Sequence, residues 1–148
     1  MLISITHNYI FHTLYMESMP RPFRLLEELK NSSKFEGVNY GLRDQSDKSF
    51  THWDGSIISQ YGDVVSFTFV CDENYPKTAP KIKFDSAYLN YTKKDDGNMK
   101  HILKRLLPLC TFNTTEFSPE CSVVLAWTPK QTIGEFLSNI RNTLCTGL

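Results

Sequence analysis

The chain has 148 residues, which is enough for one domain with a single hydrophobic core. Apolar residues make up 41% and aromatic residues 13%, a composition that indicates a folded rather than a disordered chain. Basic and acidic residues number 16 each, so the overall charge favours neither nucleic acid nor an anionic membrane as a partner. The four cysteines form no CxxC pair, so we expect free thiols and no zinc site.

Residues 1–20 are predicted to form a disordered N-terminal extension. The stretch is moderately apolar, but His7, Asn8 and His12 interrupt it and its start is not basic. A signal peptide needs a cleaner apolar run and a membrane span a longer one. The alternative is that the true start codon lies further along the chain.

The segment after this extension predicts a short amphipathic helix. Pro22 suits the first turn, where its missing N–H costs no hydrogen bond. Phe23, Leu26 and Leu29 recur every three residues, with Leu25 beside them. We expect Leu26 and Leu29 to fill the core, and Phe23 to stay exposed at the start of the helix.

Short strands separated by turns follow the helix. They are predicted over residues 38–42, 50–59 and 64–71 and are linked as an antiparallel meander. A brief edge strand is expected at Ile82 to Phe84, because two prolines precede it. In the third strand one alternating set of residues is predicted to be buried: Val65, Phe67, Phe69 and Cys71.

The second half of the chain combines loops with helical patterns. Residues 99–107 have helical spacing and residues 111–120 are predicted to be a polar loop. Thr132 and Glu135 form a capping box, in which each side chain can accept a hydrogen bond from the other residue's N–H. Apolar residues then follow helical spacing at Ile133, Phe136, Leu137, Ile140 and Leu144. This order indicates an α+β fold with helices on one face of an antiparallel sheet.

Several motifs resemble the ubiquitin-conjugating enzyme family. Its Tyr-Pro…Pro…Phe signature is matched by Tyr75-Pro76, Pro80 and Phe84, and its Trp-Ser-Pro by Trp127-Thr128-Pro129. A more specific string, Phe-Arg-Leu-Leu-Glu-Glu-Leu over residues 23–29, is similar to the ubiquitin-conjugating enzyme variants. So is a second group of residues: Tyr40-Gly41-Leu42, Trp53 and Gly55.

The resemblance implies a ubiquitin-conjugating-enzyme-like α+β fold in one domain over residues 21–148. This fold would have an N-terminal helix, a four-stranded antiparallel meander and a central helix, and would lack the two C-terminal helices of active members. The 43-residue link from Phe84 to Trp127 is longer than the family needs, so an insertion is expected near residues 85–120.

The resemblance also implies a function. Such a variant is catalytically inactive, forms a heterodimer with an active ubiquitin-conjugating enzyme and helps position acceptor ubiquitin for chains linked through lysine sixty-three of ubiquitin. The implied partners are that enzyme and ubiquitin, with no nucleic acid, membrane, metal or cofactor. The family analogy places the chain in the cytoplasm or nucleus and in DNA repair.

Site residues are carried over from the resemblance at matching positions. Phe23, Arg24 and Leu26 are expected to bind the active enzyme, and Asp54 and Ser56 to bind acceptor ubiquitin. Phe23 fits a core position at the start of a helix equally well. The turn at residues 60–63 is shorter than in chain-building variants, which weakens the expectation of acceptor binding more than that of pairing.

The catalytic residues of active members are missing. Conjugation needs an exposed thiolate and a polar donor that stabilises the oxyanion. Active members use His-Pro-Asn as the donor, whereas this chain has Asn90-Tyr91-Thr92 at the matching spacing. The active cysteine normally lies eight residues before the tryptophan, where this chain has Pro119. Cys121 is two positions away, and nearby glutamates would raise its pKa, so we expect a buried, poorly nucleophilic thiol.

Two alternatives remain open from the sequence. One is an active ubiquitin-conjugating enzyme that uses Cys121. The other is a binding module of the same fold, such as an RWD scaffold or a domain that recognises proline-rich peptides or ubiquitin. The string over residues 23–29, and the end of the chain 21 residues after Trp127, favour the inactive subunit over both alternatives.

Overall fold

A computed structural model describes most of the predicted domain. It covers residues 18–59, 62, 64–84, 110–113, 120–123 and 127–145, with the backbone alone for 110–113, 120–123 and 144–145. Several predictions lie outside the described residues. They are the extension up to residue 17, the helical pattern at 99–107, the placement of Asn90-Tyr91-Thr92 and of Pro119, and most of the insertion expected near residues 85–120.

The described part of the chain folds into two helices and six strands. The helices are α1 (Arg21–Lys30) and α2 (Ile133–Cys145). The strands are β1 (Val38–Leu42), β2 (His52–Ile58), β3 (Val64–Val70), β4 (Lys81–Phe84), β5 (Cys110–Asn113) and β6 (Glu120–Val123). They form one sheet in the order β1-β2-β3-β4-β6-β5 with every neighbouring pair antiparallel. Neither described helix has the length and hydropathy that a membrane span requires.

The predicted α+β class and the four-strand meander are confirmed, but two details of the sheet were wrong. Strand β4 lies inside the sheet rather than at its edge, because β6 pairs with its free side. Residues 111–113, predicted as part of a polar loop, belong to β5, which pairs with β6. Both added strands have only four residues, too few for alternation to distinguish them from loops.

Aromatic side chains on one face of the meander form the core. Cross-strand pairing places Trp53 opposite Phe69, and their rings stack with centroids 5.5 Å apart. Tyr40 packs against both rings at 6.2 and 6.4 Å. The alternating set predicted for β3, which includes Cys71, is buried throughout. The opposite face of these strands is largely solvent-accessible, so both helices cover the same face of the sheet.

Helix α2 follows its predicted pattern closely. Thr132 Oγ1 accepts a hydrogen bond from the Glu135 N–H at 3.1 Å, and Glu135 Oε2 accepts one from the Thr132 N–H at 3.2 Å, which confirms the capping box. The apolar positions with described side chains are fully or almost fully buried: Ile133, Phe136, Leu137 and Ile140.

Helix α1 departs from its predicted pattern. Leu25 is fully buried, whereas Leu26, expected in the core, has 39% of its surface exposed. Leu29 is partly buried against the core. The inner face of the helix is therefore rotated by about one residue from the face that the apolar spacing predicted.

Gly134 allows α2 to pack closely on the loop before β1. A Cβ atom at this position would overlap the ring of Phe35, which packs against the core. At Gly41, on β1, an added Cβ would meet nothing within 4 Å.

We expect Gly134→Ala to lower the free energy of unfolding by about 1–3 kcal/mol, because overpacking outweighs the gain in helix propensity. Gly41→Ala is the matched control and should change it by less than about 0.5 kcal/mol. Urea unfolding of both variants measures these differences. Equal stability of the two would mean that the Phe35 ring moves aside freely.

Candidate functional site

The outer face of α1 carries an exposed apolar surface. Phe23 is 62% exposed and Leu26 39% exposed. Of the described residues, the only other large hydrophobic side chain with comparable exposure is Val64, on β3. Phe23 and Leu26 lie one turn apart, so they form a continuous patch beside the Glu27–Lys30 ion pair, which measures 3.3 Å.

A shallow cleft of about 400 Å³ adjoins this patch. It is lined by Ser18, Met19, Pro20, Phe23, Leu26, Glu27 and Lys30. Met19 is only 9% exposed, although it belongs to the segment predicted to be disordered. The folded part of the chain therefore begins before residue 20, and the apolar patch has a wall on its N-terminal side.

Arg24 does not belong to this surface, and its predicted contact with a partner is wrong. Its side chain is fully buried. The guanidinium donates hydrogen bonds to the carbonyl oxygens of Pro129 and, at 2.7 Å, Gln131, and lies 5.4 Å from the ring centre of Tyr75. Arg24 thus joins α1 to the segment that leads into α2.

Glu28 completes this buried junction. Its Oε1 accepts a hydrogen bond from the Tyr75 hydroxyl at 3.2 Å, and its Oε2 accepts one from the Ile133 N–H at 3.1 Å. Arg24 Nε lies 3.9 Å from the carboxylate, close enough for an ion pair. Burial raises the pKa of Glu28 to about 7, although the Ile133 hydrogen bond and the Arg24 charge both act to lower it.

Sequence reasoning missed the role of Glu28. The available signal was its spacing from Arg24, four residues along the helix, which places the two side chains on one face. A charge pair at this spacing is usually solvated, so nothing in the local pattern indicated that the two side chains are buried.

The family's proline and tryptophan motifs meet at the same junction. Trp127 Nε1 donates to the Pro76 carbonyl oxygen at 2.8 Å. The Trp127 ring packs 5.8 Å from Tyr75 and edge-on to Phe136 at 5.3 Å. These motif residues hold the link between β3 and β4 against the start of α2.

The predicted acceptor residues lie on the opposite side of the sheet from α1. Asp54 and Ser56 occupy alternate positions on the solvent face of β2. The Asp54 side chain is 54% exposed, and its Oδ1 accepts a hydrogen bond from Arg43 Nε at 3.2 Å. Their cross-strand neighbours are small or polar: Asn39, Gly41, Ser66 and Thr68. The structure therefore provides a flat polar surface there, separate from the apolar patch.

The structure describes the side chain of one cysteine, Cys71, and that thiol is not exposed. Cys71 is a free, buried thiol whose pKa is raised by burial, which makes it a poor nucleophile. The backbone of Cys121 lies in β6, paired with Phe84 on one side and Phe112 on the other. No group of three or more metal-ligating side chains occurs in the part of the chain that the structure describes. Pro119 lies outside the described residues.

Comparison with known proteins identifies relatives of one type. No protein-family profile matches the chain. Ubiquitin-conjugating enzyme variant MMS2 of Saccharomyces cerevisiae is 29% identical over 139 residues, which are 88% of this chain and 89% of the yeast protein. Ubiquitin-conjugating enzyme E2 variant 1C of Arabidopsis thaliana is 37% identical over 76 residues, 46% of this chain and 52% of the plant protein. The chain is a homologue of the ubiquitin-conjugating enzyme variants.

Solved structures confirm the ubiquitin-conjugating-enzyme-like fold. A ubiquitin-conjugating enzyme E2 domain from Toxoplasma gondii superposes with a TM-score of 0.53 at 21% identity, covering 84% of this chain and 74% of that one. Human ubiquitin-conjugating enzyme E2 G1 gives a TM-score of 0.52 at 19% identity, covering 85% of this chain and 96% of the human one. At these identities the likeness is one of fold.

Titration of Glu28 should make the stability of the protein depend on pH. The carboxyl titrates near 4.5 when unfolded and near 7 when folded, so between these values only the folded protein holds the proton. The free energy of unfolding should therefore fall as the pH rises from about 4.5 to 7, by at most about 3 kcal/mol, and then level off.

Glu28→Gln removes the titrating group and keeps its shape, so this slope should be absent from its profile. Urea unfolding of both proteins at several pH values between about 4.5 and 8 measures the difference, and the histidines cancel in the comparison. Parallel profiles for wild type and variant would show that Glu28 does not hold its proton in the folded protein.

Proposed function

We propose that this chain is a catalytically inactive variant that binds an active ubiquitin-conjugating enzyme through the outer face of α1. In this complex it helps to position acceptor ubiquitin for chains linked through lysine sixty-three of ubiquitin. The observation that carries the proposal is the exposed pair Phe23 and Leu26 on a helix whose other face is buried. The homologues named as variants support the same assignment.

The apolar patch has the composition of a protein-binding anchor. Large aromatic side chains dominate the energetics of protein interfaces when they enter a pocket on the partner. Phe23 projects from the first turn beside the cleft formed with Met19, and Leu26 extends the apolar surface along the helix. The Glu27–Lys30 ion pair at the edge supplies the polar rim that such interfaces usually have. We therefore assign Phe23 as the anchor and Leu26 as its neighbour in the interface.

The lack of catalysis is supported by the chemistry of the sequence. The histidine and proline of the His-Pro-Asn donor are missing, and Pro119 replaces the cysteine that would carry ubiquitin. A thioester cannot form without a thiolate at the site, and its transfer is slow without an oxyanion donor. In the proposed complex, both groups come from the active enzyme.

The solvent face of β2 is the surface that we propose for acceptor ubiquitin. Asp54 and Ser56 lie there within a flat polar region, on the other side of the sheet from α1. Because α1 covers the core face, an enzyme bound to its outer surface would leave the solvent face of β2 open. The two partners would therefore use different surfaces and could bind together.

Phe23→Ala should weaken binding to an active ubiquitin-conjugating enzyme by about thirtyfold, since a buried aromatic anchor typically contributes 2 kcal/mol or more. Its free energy of unfolding should change by less than about 1 kcal/mol, because the side chain is 62% exposed in the free protein. Titration calorimetry and urea unfolding measure the two quantities.

Val64→Ala is the matched control for this experiment. Val64 is 49% exposed and begins β3, at the opposite end of that strand from the loop that contacts α1. Its replacement should leave the affinity within about twofold of wild type. If both variants bind as tightly as wild type, the enzyme does not bind α1; if Phe23→Ala unfolds the protein, Phe23 is a core residue.

With activating enzyme and ATP, the chain alone should form no thioester with ubiquitin. When an active partner is added, chains linked through lysine sixty-three of ubiquitin should form, and they should disappear when that lysine is replaced by arginine. Non-reducing electrophoresis detects the thioester, and Cys121→Ser is the control for a cryptic nucleophile. A reducible adduct that is lost in Cys121→Ser would establish an active enzyme instead.

A further inference from the structure

Arg21 forms hydrogen bonds to the loops beneath the first turn of α1. Its Nε donates to the Asp72 carbonyl oxygen at 2.9 Å, and its two terminal nitrogens donate to those of Cys71 and Ser49, each at 2.7 Å. Ser49 precedes β2, whereas Cys71 and Asp72 follow β3. One guanidinium thus ties the start of the helix to two separate segments at the same end of the sheet.

The carbonyl oxygens that Arg21 contacts belong to loops that are held in place by their own hydrogen bonds. Asp47 accepts hydrogen bonds from the N–H groups of Ser49 and Thr51 at 3.0 and 3.1 Å. Asp72 accepts one from the Thr78 hydroxyl at 2.7 Å. The Thr51 carbonyl oxygen accepts one from the Cys71 N–H at 2.9 Å, which joins the two loops. Arg21 therefore binds to a preformed set of acceptors.

The N-cap position of α1 provides no side-chain cap. The N-cap residue is Pro20, and it makes no side-chain hydrogen bond to the first turn. The first backbone hydrogen bond of the helix runs from the Arg24 N–H to the Pro20 carbonyl oxygen at 3.0 Å. Since a helix end without an N-cap side chain frays readily, the Arg21 contacts help to hold the first turn against the two loops.

Arg21 and Phe23 lie on opposite sides of that turn. They are two residues apart, which is about 200° around an α-helix. The Arg21 side chain reaches inward to the loops, and Phe23 is 62% exposed on the outer side. The hydrogen bonds of Arg21 on the inner side of the first turn set the rotation of that turn. This rotation sets the direction in which Phe23 projects.

We propose that Arg21 is a positioning residue that holds Phe23 in the orientation required for docking to the active enzyme. The proposal rests on the proposed function for its partner, but its structural half can be tested on the chain alone. Arg24 makes similar carbonyl contacts, yet it is fully buried, so its removal would test folding instead. Arg21 is only partly buried and can be replaced with less damage.

The first test uses amide hydrogen exchange in the chain without a partner. In Arg21→Ala the Arg24 amide, which closes the first turn, should lose about tenfold or more of its protection. The Asn31 amide, which donates to the Glu27 carbonyl oxygen at 3.1 Å at the other end of the helix, should change by less than about twofold. Unchanged protection at Arg24, or an equal loss at both amides, would overturn the proposal.

Lys81→Ala is the matched control. Lys81, the first residue of β4, has its Nζ 3.1 Å from the Asp72 carboxylate, so this change removes a cation that contacts the same loop without touching α1. Protection at Arg24 and affinity for the enzyme should both stay within about twofold of wild type. If Lys81→Ala has an effect as large as that of Arg21→Ala, the charge around the loop controls protection and affinity, and the hydrogen bonds between Arg21 and the loops do not.

The second test measures affinity for an active ubiquitin-conjugating enzyme by calorimetry. Arg21→Ala should weaken binding by about fivefold or more, and Phe23→Ala by about thirtyfold. If Arg21 acts through Phe23, the double variant should bind within about twofold of Phe23→Ala alone. The proposal would be overturned if the affinity losses of the two single variants multiply in the double variant. It would also be overturned if Arg21→Ala binds with full affinity. If wild type binds no active enzyme, the proposed function fails, and the exchange experiment still decides whether Arg21 orients the first turn.

Discussion

The buried pair of Arg24 and Glu28 is the interaction on which the arrangement of the two helices depends. Each charge is matched by groups from other elements: Arg24 by the carbonyl oxygens of Pro129 and Gln131, and Glu28 by the Ile133 N–H. A buried ion pair on its own contributes little net stability, because desolvation offsets the attraction. Its value lies in geometry, since only one placement of α1 against the start of α2 satisfies all of these groups at once.

This junction also explains why distant sequence motifs lie together. Tyr75 donates its hydroxyl hydrogen bond to Glu28, and Trp127 packs on Tyr75 and donates a hydrogen bond to the Pro76 carbonyl oxygen. Three segments that are far apart in the chain therefore converge on one carboxylate. The Tyr-Pro and Trp-Thr-Pro motifs of the family resemblance thus have a structural role in the described part of the chain, because they help to fix α1 in place.

Much of the fold could be predicted because its elements follow simple patterns. The alternation in β3 and the capping box of α2 are local signals, and the structure reproduces both. The inner face of α1 could not be predicted, since hydropathy places Leu26 inside and leaves Arg24 and Glu28 outside. The observed helix does the reverse, because backbone carbonyls and an N–H from the α2 region solvate the two charges. Those partners lie about a hundred residues away, so no local pattern could reveal them.

The same arrangement determines which part of the candidate site could be foreseen. The exposure of Phe23 follows from its place at the helix start. The hydrogen bonds of Arg21, in contrast, depend on loops 28 and 51 residues away. A ten-residue helix is too short to be stable alone in water and must be held by tertiary contacts. In α1 these tertiary contacts are the hydrogen bonds of Arg21, Arg24 and Glu28 together with the buried Leu25 side chain. Phe23 and Leu26 are not needed for them and remain exposed. Full burial of a Phe or Leu side chain contributes about 1.5–3 kcal/mol. Folding of the chain leaves Phe23 and Leu26 exposed, so this stabilisation becomes available when a partner covers them.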